Sequence, residues 1–255
     1  MAPSSPLNNV RIVLSHTSHA GNIGATARAM KTMGLQSLYL VNPKSFPDRE
    51  ADDRAVSARD LLNQAYVCEC IDEALQNTVL AAALTTRSRE FPHETHDARE
   101  GARILLEHAQ SHPVALVFGA ETSGLTTAEV SKCQMTIFIP TNPDYSSLNL
   151  ASAVQIMGYE LFMAMSEIKM LYTKQPVYLQ KAPASFNDIE FFYQHLEQVM
   201  IQTDFLDPQK PKKLMQRIRR LFSRIRLEKK EVNILRGILN AVEKQLSRKP
   251  SIDKR

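Results

Sequence analysis

Asn22 and Arg28 are six positions apart in Gly21-Asn-Ile-Gly-Ala-Thr-Ala-Arg28. Gly21 and Gly24 let backbone approach a ligand closely, and a helix that starts here offers free N–H donors. Arg28 keeps its proton at any ordinary pH, so it is a poor base. Its fork of donors suits orienting a hydroxyl, holding a phosphate or stabilising a developing oxyanion. A second cluster, Phe118-Gly-Ala-Glu-Thr-Ser-Gly-Leu125, sets one carboxylate, Glu121, in a tight glycine loop. A third, Ile139-Pro-Thr-Asn-Pro-Asp-Tyr-Ser-Ser-Leu-Asn-Leu-Ala151, brings Ser146, Ser147 and Asn149 to the start of an alanine-rich helical pattern. Each also has a plain structural reading: a turn with a surface arginine, a glutamate at a helix start, a set of helix caps. Their shared placement argues for more, because each sits where an apolar run ends and a helical pattern begins.

The elements that position these clusters follow from periodicity. Short apolar runs at Val10 to Leu14, Leu38 to Val41, Thr78 to Leu84, Pro113 to Phe118 and Met135 to Ile139 read as buried strands. Helical patterns lie at Asn22 to Met33, Ala55 to Asn63, Asp72 to Gln76, Ala98 to His108, Thr127 to Lys132 and Leu148 to Tyr172. Strands alternating with helices predict an α/β fold with a mainly parallel sheet flanked by helices. Ligands of such sheets bind beyond the C-terminal strand ends, where all three clusters fall.

Pro176 and Pro183 break the pattern after Tyr172, so the chain divides into a domain over 1–172, a linker over 173–184, a helical extension over 185–246 and a frayed tail over 247–255. Ser185-Phe-Asn-Asp188 has the form of a capping box before a helix at Ile189 to Met200. Lys210 to Lys230 holds ten Lys/Arg and one Glu. Read as one helix, it places Leu214, Ile218, Leu221 and Ile225 on one face and Lys213, Arg217, Arg220 and Arg224 on another. A second amphipathic stretch runs from Val232 to Val242. Such a basic face suits a phosphate backbone, although a merely solvated face is nearly as good a reading alone.

Composition sets outer bounds. The 255 residues are 44% hydrophobic and 23% charged with a net charge of +4, as in ordinary globular proteins. There is no apolar run of membrane-spanning length and no signal-like N-terminus, which predicts a cytoplasmic protein. Cys68, Cys70 and Cys133 are too few for a disulfide framework and lack metal-site spacing. His93 and His96 lack a third ligand, so no metal is expected. There is no P-loop and no G-x-G-x-x-G.

The three clusters, in this order, resemble the three motifs of the SpoU/TrmH branch of the SPOUT RNA 2′-O-methyltransferases. The resemblance implies a C-terminal trefoil knot, S-adenosyl-L-methionine as cofactor, and transfer of its methyl group to a ribose 2′-hydroxyl. It implies a catalytic pocket of Asn22, Arg28, Glu121, Ser147 and Asn149, with Arg28 also facing the RNA. Cofactor contacts fall on Leu84, Thr85, Thr86, Gly119, Ile139, Ser146, Ser147 and Leu148. Glu121 would shape the site or hold Arg28 or Asn22, and a substrate phosphate is one acceptor for the hydroxyl proton. The segment Leu84-Thr-Thr-Arg-Ser-Arg89 departs from the relatives' Thr-Ser-Ala-Arg-Ser-Arg at Leu84 and Thr86; Arg87 and Arg89 are expected as its phosphate contacts, with solvated surface arginines as the plain alternative. His16 and Ala120 also depart, replacing an acidic and a bulkier basic residue.

Arg219-Arg-Leu-Phe-Ser-Arg224 and Asn233-Ile-Leu-Arg-Gly-Ile-Leu239 resemble the small all-α C-terminal extension of TrmJ-type enzymes. That implies tRNA as substrate, with cytidine or uridine at position 32 of the anticodon loop as target. Arg217, Arg220 and Arg224 become RNA contacts. The relatives are homodimers with a composite site. The alternatives are another tRNA position, an rRNA, or a noncatalytic RNA-binding protein that kept the fold.

Overall fold

The structure is a computed structural model and describes residues 5–86, 94–172 and 182–248. Arg87, Arg89, His93, most of the expected linker and nearly all of the expected tail lie outside the described residues. The chain forms two compact units, Met1–Tyr178 and Leu179–Arg255.

The expected α/β architecture is present in the first unit. Seven strands form one sheet: β1 (Val10–Ser15), β2 (Ser37–Val41), β3 (Tyr66–Cys68), β4 (Leu80–Leu84), β5 (Glu94–Asp97), β6 (Val114–Phe118) and β7 (Met135–Phe138). Their order is β3-β2-β1-β6-β4-β7-β5, and every pairing is parallel. All C-terminal strand ends therefore open on one edge. The helices are α1 (Ala20–Thr32), α2 (Arg49–Ala55), α3 (Arg59–Asn63), α4 (Ile71–Leu75), α5 (Ala98–Ala109), α6 (Thr127–Ser131) and α7 (Leu150–Tyr172).

Val10, Ile12 and Leu14 of β1 share a buried core with Ile23, Ala27 and Met30 of α1, Leu105 and Leu106 of α5, and Val154, Met157 and Leu161 of α7. The central strands are buried on both faces, so they read as continuous apolar runs. The edges do not. β5 is the polar Glu-Thr-His-Asp, and β3 has three residues with Tyr66 and Val67 exposed. Sequence pattern missed both strands, and α2 as well, because seven charged and small residues carry no apolar period. The Ala55 to Asn63 pattern is a 3-10 turn (Val56–Ala58) followed by α3.

Gly21 and Gly24 have a packing use within the fold. A Cβ on Gly24 would overlap the Ala51 backbone of α2, and one on Gly21 would meet the Glu50 carboxylate. Gly24 lets α1 pack against the α2 backbone, and Gly21 leaves room for the Glu50 side chain.

The second unit contains α8 (Phe186–Gln202), α9 (Leu214–Ser223) and α10 (Lys229–Arg248). Ser185 and Asp188 form the capping box of α8. Phe192, Tyr193, Val199, Leu227, Val232 and Leu239 make a small core. The basic run is not one helix from Lys210 to Lys230. It is helical over α9, and Arg226 then takes a left-handed backbone at φ 40°. That bend buries Leu227, whose carbonyl accepts the Ala184 N–H at 2.9 Å. Core demand for Leu227 overrides local helix propensity there. Leu221 and Ile225 are exposed, whereas Leu214 and Ile218 are half-buried. Arg219 forms a bidentate pair with Glu190, and its guanidinium lies 4.5 Å from the Tyr193 ring centre. Among the described residues, no helix is long and apolar enough to cross a membrane.

The glycines allow a paired test. Gly24→Ala is expected to cost about 2–3 kcal/mol through overpacking of α1 on α2. Gly237→Ala, where an added Cβ meets nothing within 4 Å, is expected to stabilise α10 by about 0.5–1 kcal/mol. Thermal or urea unfolding of the two variants checks both signs.

Candidate active site

The turn between β1 and α1 arrives at the strand-end edge with Ser18 and His19, and no side chain of its own caps α1. Glu121, in the loop after β6, takes that role. Its Oε2 accepts the Ser18 N–H at 2.9 Å and the Ser18 hydroxyl at 2.7 Å. Its Oε1 accepts the Asn22 Nδ2–H at 2.8 Å and the His19 N–H at 3.3 Å. An anion at the start of a helix is favoured by the dipole and the unpaired amides there. Burial alone would raise the Glu121 pKa. The hydrogen bonds from Asn22 and Ser18 outweigh it and hold the carboxyl at about 2.

Asn22 has its amide nitrogen turned to Glu121, so its oxygen faces the other way. There it accepts the Asn149 Nδ2–H at 3.0 Å. Asn149 in turn presents its oxygen to the Ala151 N–H at 2.9 Å and the Ser152 N–H at 3.4 Å, capping α7. The plain reading of Asn149 as a helix cap is therefore correct, and the same side chain also joins the network. Three clusters far apart in sequence are tied by one chain of hydrogen bonds.

Beside this network is an open cleft. Its wall includes all eight residues expected at the cofactor: Leu84, Thr85, Thr86, Gly119, Ile139, Ser146, Ser147 and Leu148. Glu121 also lines it. Phe118, Leu125 and Leu150, which belong to the second and third clusters, and Ala153, just beyond the third, complete the apolar side. Gly119 is required by loop closure. A Cβ there would overlap the backbone of Gly124 and Leu125, and Gly124 itself has φ 65°. The Gly124 N–H closes the loop onto the Ala120 carbonyl at 2.8 Å.

Arg28 stands apart. It is exposed and does not line the cleft. Helix geometry sets it about 9 Å along α1 from Asn22 and about 120° around the axis. Glu121 thus holds Asn22 and not Arg28. Arg217 and Arg224 are exposed and Arg220 is half-buried on or beside α9, each within the second unit. Ser18, which makes two of the four hydrogen bonds to Glu121, was not anticipated; its only signal is the polar Ser-His-Thr-Ser-His run after β1. Among the described residues, no group of three or more His, Cys, Asp or Glu is placed to hold a metal ion.

The Glu121 anion links stability to acid. With its pKa lowered from 4.5 to about 2, the group stabilises the fold fully above its ordinary value and loses that contribution as pH falls towards the lowered one. Glu121→Gln is expected to melt below wild type at pH 7 and to lose less on acidification below pH 4.5. Melting curves across that window would show parallel losses if the carboxylate carried no such role.

Residues 9–159 match the family model of the SpoU rRNA Methylase family, and residues 187–251 match that of the tRNA methyltransferase TrmJ, C-terminal domain. The chain is similar to a tRNA (cytidine/uridine-2′-O-)-methyltransferase TrmJ of Pectobacterium atrosepticum, 47% identical over 93% of this chain and 98% of the relative. It is also similar to a tRNA (cytidine/uridine/adenosine-2′-O-)-methyltransferase TrmJ of Pseudomonas aeruginosa, 44% identical over 93% of this chain and 95% of that one. Among solved structures, TrmJ from Z. mobilis superposes with a TM-score of 0.80 at 29% identity, over 91% of this chain and 98% of that one. A probable methylase family protein from Haemophilus influenzae does so at 0.61 and 39% identity, over 94% and 98%. With both family models matched and near-full-length relatives at such identity, the chain belongs to the SpoU methylase family and to the TrmJ group within it.

Proposed function

We propose that this chain is an S-adenosylmethionine-dependent tRNA methyltransferase acting on the ribose 2′-hydroxyl of cytidine or uridine at position 32 of the anticodon loop. The observation that carries this reading is the Glu121–Asn22–Asn149 network beside a cleft built from three strand-end loops. Membership of the TrmJ group supports tRNA as the substrate, and so does the match of the C-terminal residues, over the rRNA of the wider family's name.

The cleft fits the cofactor in kind. Leu84, Leu125, Ile139 and Leu150 give apolar walls for an adenine, Thr85, Thr86, Ser146 and Ser147 offer polar contacts, and Glu121 supplies an anion near a bound cation. When bound, S-adenosylmethionine supplies a methyl group on a positively charged sulfur. The protein's share is alignment and charge placement. Glu121 is not the base: four donors already occupy its oxygens, and its low pKa leaves it little affinity for a proton. Asn22, Asn149 and Ser147 hold the acceptor ribose, and Arg28 orients its hydroxyl and an adjoining phosphate.

Arg28 is exposed and does not line the cleft of its own chain. We therefore infer a homodimer with a composite site. The exposed, helically spaced Tyr159, Phe162 and Met163 of α7 support an apolar contact for it. The return of the chain from β7 at one side of the sheet to α7, packed on α1 and α5, supports the trefoil knot reading. Arg217, Arg220 and Arg224 of an all-α C-terminal extension, together with Arg87 and Arg89, serve the RNA backbone.

Labelled methyl transfer to total tRNA, followed by nucleoside mapping, is expected to place 2′-O-methyl at position 32. A mark elsewhere would keep the chemistry and replace the target, whereas no label in tRNA would sink the reading. Arg28→Ala is expected to lower kcat by at least about a hundredfold. Cofactor affinity should stay near wild type, and calorimetric titration with S-adenosylmethionine checks that half.

A further inference from the structure

Glu129 is a buried carboxylate that the reaction described above does not use, with 8% of its surface exposed. It is the third residue of α6 and forms that helix's capping box with Thr126. The box occupies one of its oxygens: Oε2 accepts the Thr126 N–H at 2.6 Å and the Thr126 hydroxyl at 2.7 Å. The other oxygen reaches across to β1 and accepts the buried Ser15 hydroxyl. A helix cap does not require that second contact.

Ser15 is the last residue of β1. His16 follows with a left-handed backbone, φ 54°, a conformation that costs a non-glycine residue about 1–2 kcal/mol. Its Nδ1 lies 2.9 Å from the Ser15 hydroxyl oxygen and 3.6 Å from Glu129 Oε1, and its N–H donates to the Val41 carbonyl at 2.9 Å. Two residues later, Ser18 and His19 are gripped by Glu121. The catalytic turn is thus held at both ends by carboxylates of one continuous segment, Glu121 at the α1 end and Glu129 at the β1 end.

We propose that Glu129 is a positioning residue for methyl transfer: acting through Ser15, it fixes the β1 end of the turn whose other end presents Asn22 to the acceptor ribose. This rests on the methyl-transfer reading above. Burial would raise the pKa of Glu129, but the hydrogen bonds from Ser15 and Thr126 outweigh it and keep the group an anion. The turn is then a strained link stretched between two fixed charges, and slack at either end displaces Asn22.

Ser15→Ala removes the cross-contact and leaves the α6 cap whole. It is expected to lower kcat on tRNA about tenfold, the scale of one lost buried hydrogen bond, with KM for S-adenosylmethionine unchanged. Amide exchange over residues 15–22 should speed by a similar factor, and Ser15→Thr, which keeps the hydroxyl, should restore both. Glu129→Gln, which still caps α6, should add little in the Ser15→Ala background. Thr126→Ala should lower Tm without that kcat change. Wild-type kcat and exchange in Ser15→Ala would overturn the proposal, as would an equal loss from Glu129→Gln with and without Ser15. Exchange is read without substrate. A wild type inactive on tRNA would therefore remove the functional reading, while exchange would still decide whether Glu129 anchors the turn through Ser15.

Discussion

One carboxylate organises this molecule's reactive edge. Glu121 has four donors on two oxygens, and because it stays an anion it accepts from all of them. An amide facing that anion has a single favourable orientation, with nitrogen inward. Asn22 must therefore turn its oxygen outward, Asn149 must answer with its own nitrogen, and the Asn149 oxygen is left for the first amides of α7. The polarity of the whole chain of contacts follows from one charge. Were Glu121 neutral, each amide could flip, and the loops from β1, β6 and β7 would lose their common register.

Close backbone contact is the second constraint. Gly24 against Ala51, and Gly119 against Gly124 and Leu125, are places where no side chain fits. Both glycines lie inside motifs that invite a ligand explanation. In the fold they serve packing and loop closure, and the cleft is defined by what those contacts hold in place. Function and architecture therefore share the same residues here, and a motif alone cannot separate them.

The central strands and the long helices were legible in the sequence because double-sided burial and helical periodicity leave strong apolar patterns; Val114–Phe118 and Leu150–Tyr172 are examples. Glu94–Asp97 and Tyr66–Cys68 were not, since an edge strand gains its place from a neighbour's backbone and needs few apolar side chains. The bend at Arg226 arises from the core's claim on Leu227, which no local pattern announces. At the site, the motif residues were readable as types. Their connections were not: Ser18 and Glu129 act through partners 103 and 114 positions away, and spacing does not encode a contact of that length.

Those separations also set when the site comes into being. The bond from Asn149 to Asn22 spans 127 positions, and β1 cannot be flanked by β6 until Val114–Phe118 exists. Non-local pairings of this kind are completed late, after the entropy of closing long loops has been overcome. During synthesis the first motif leaves the ribosome ahead of Glu121, the carboxylate that caps it, which follows about a hundred residues later. The hydrogen-bond network of the site therefore cannot close until the segment carrying Asn149 has joined the sheet.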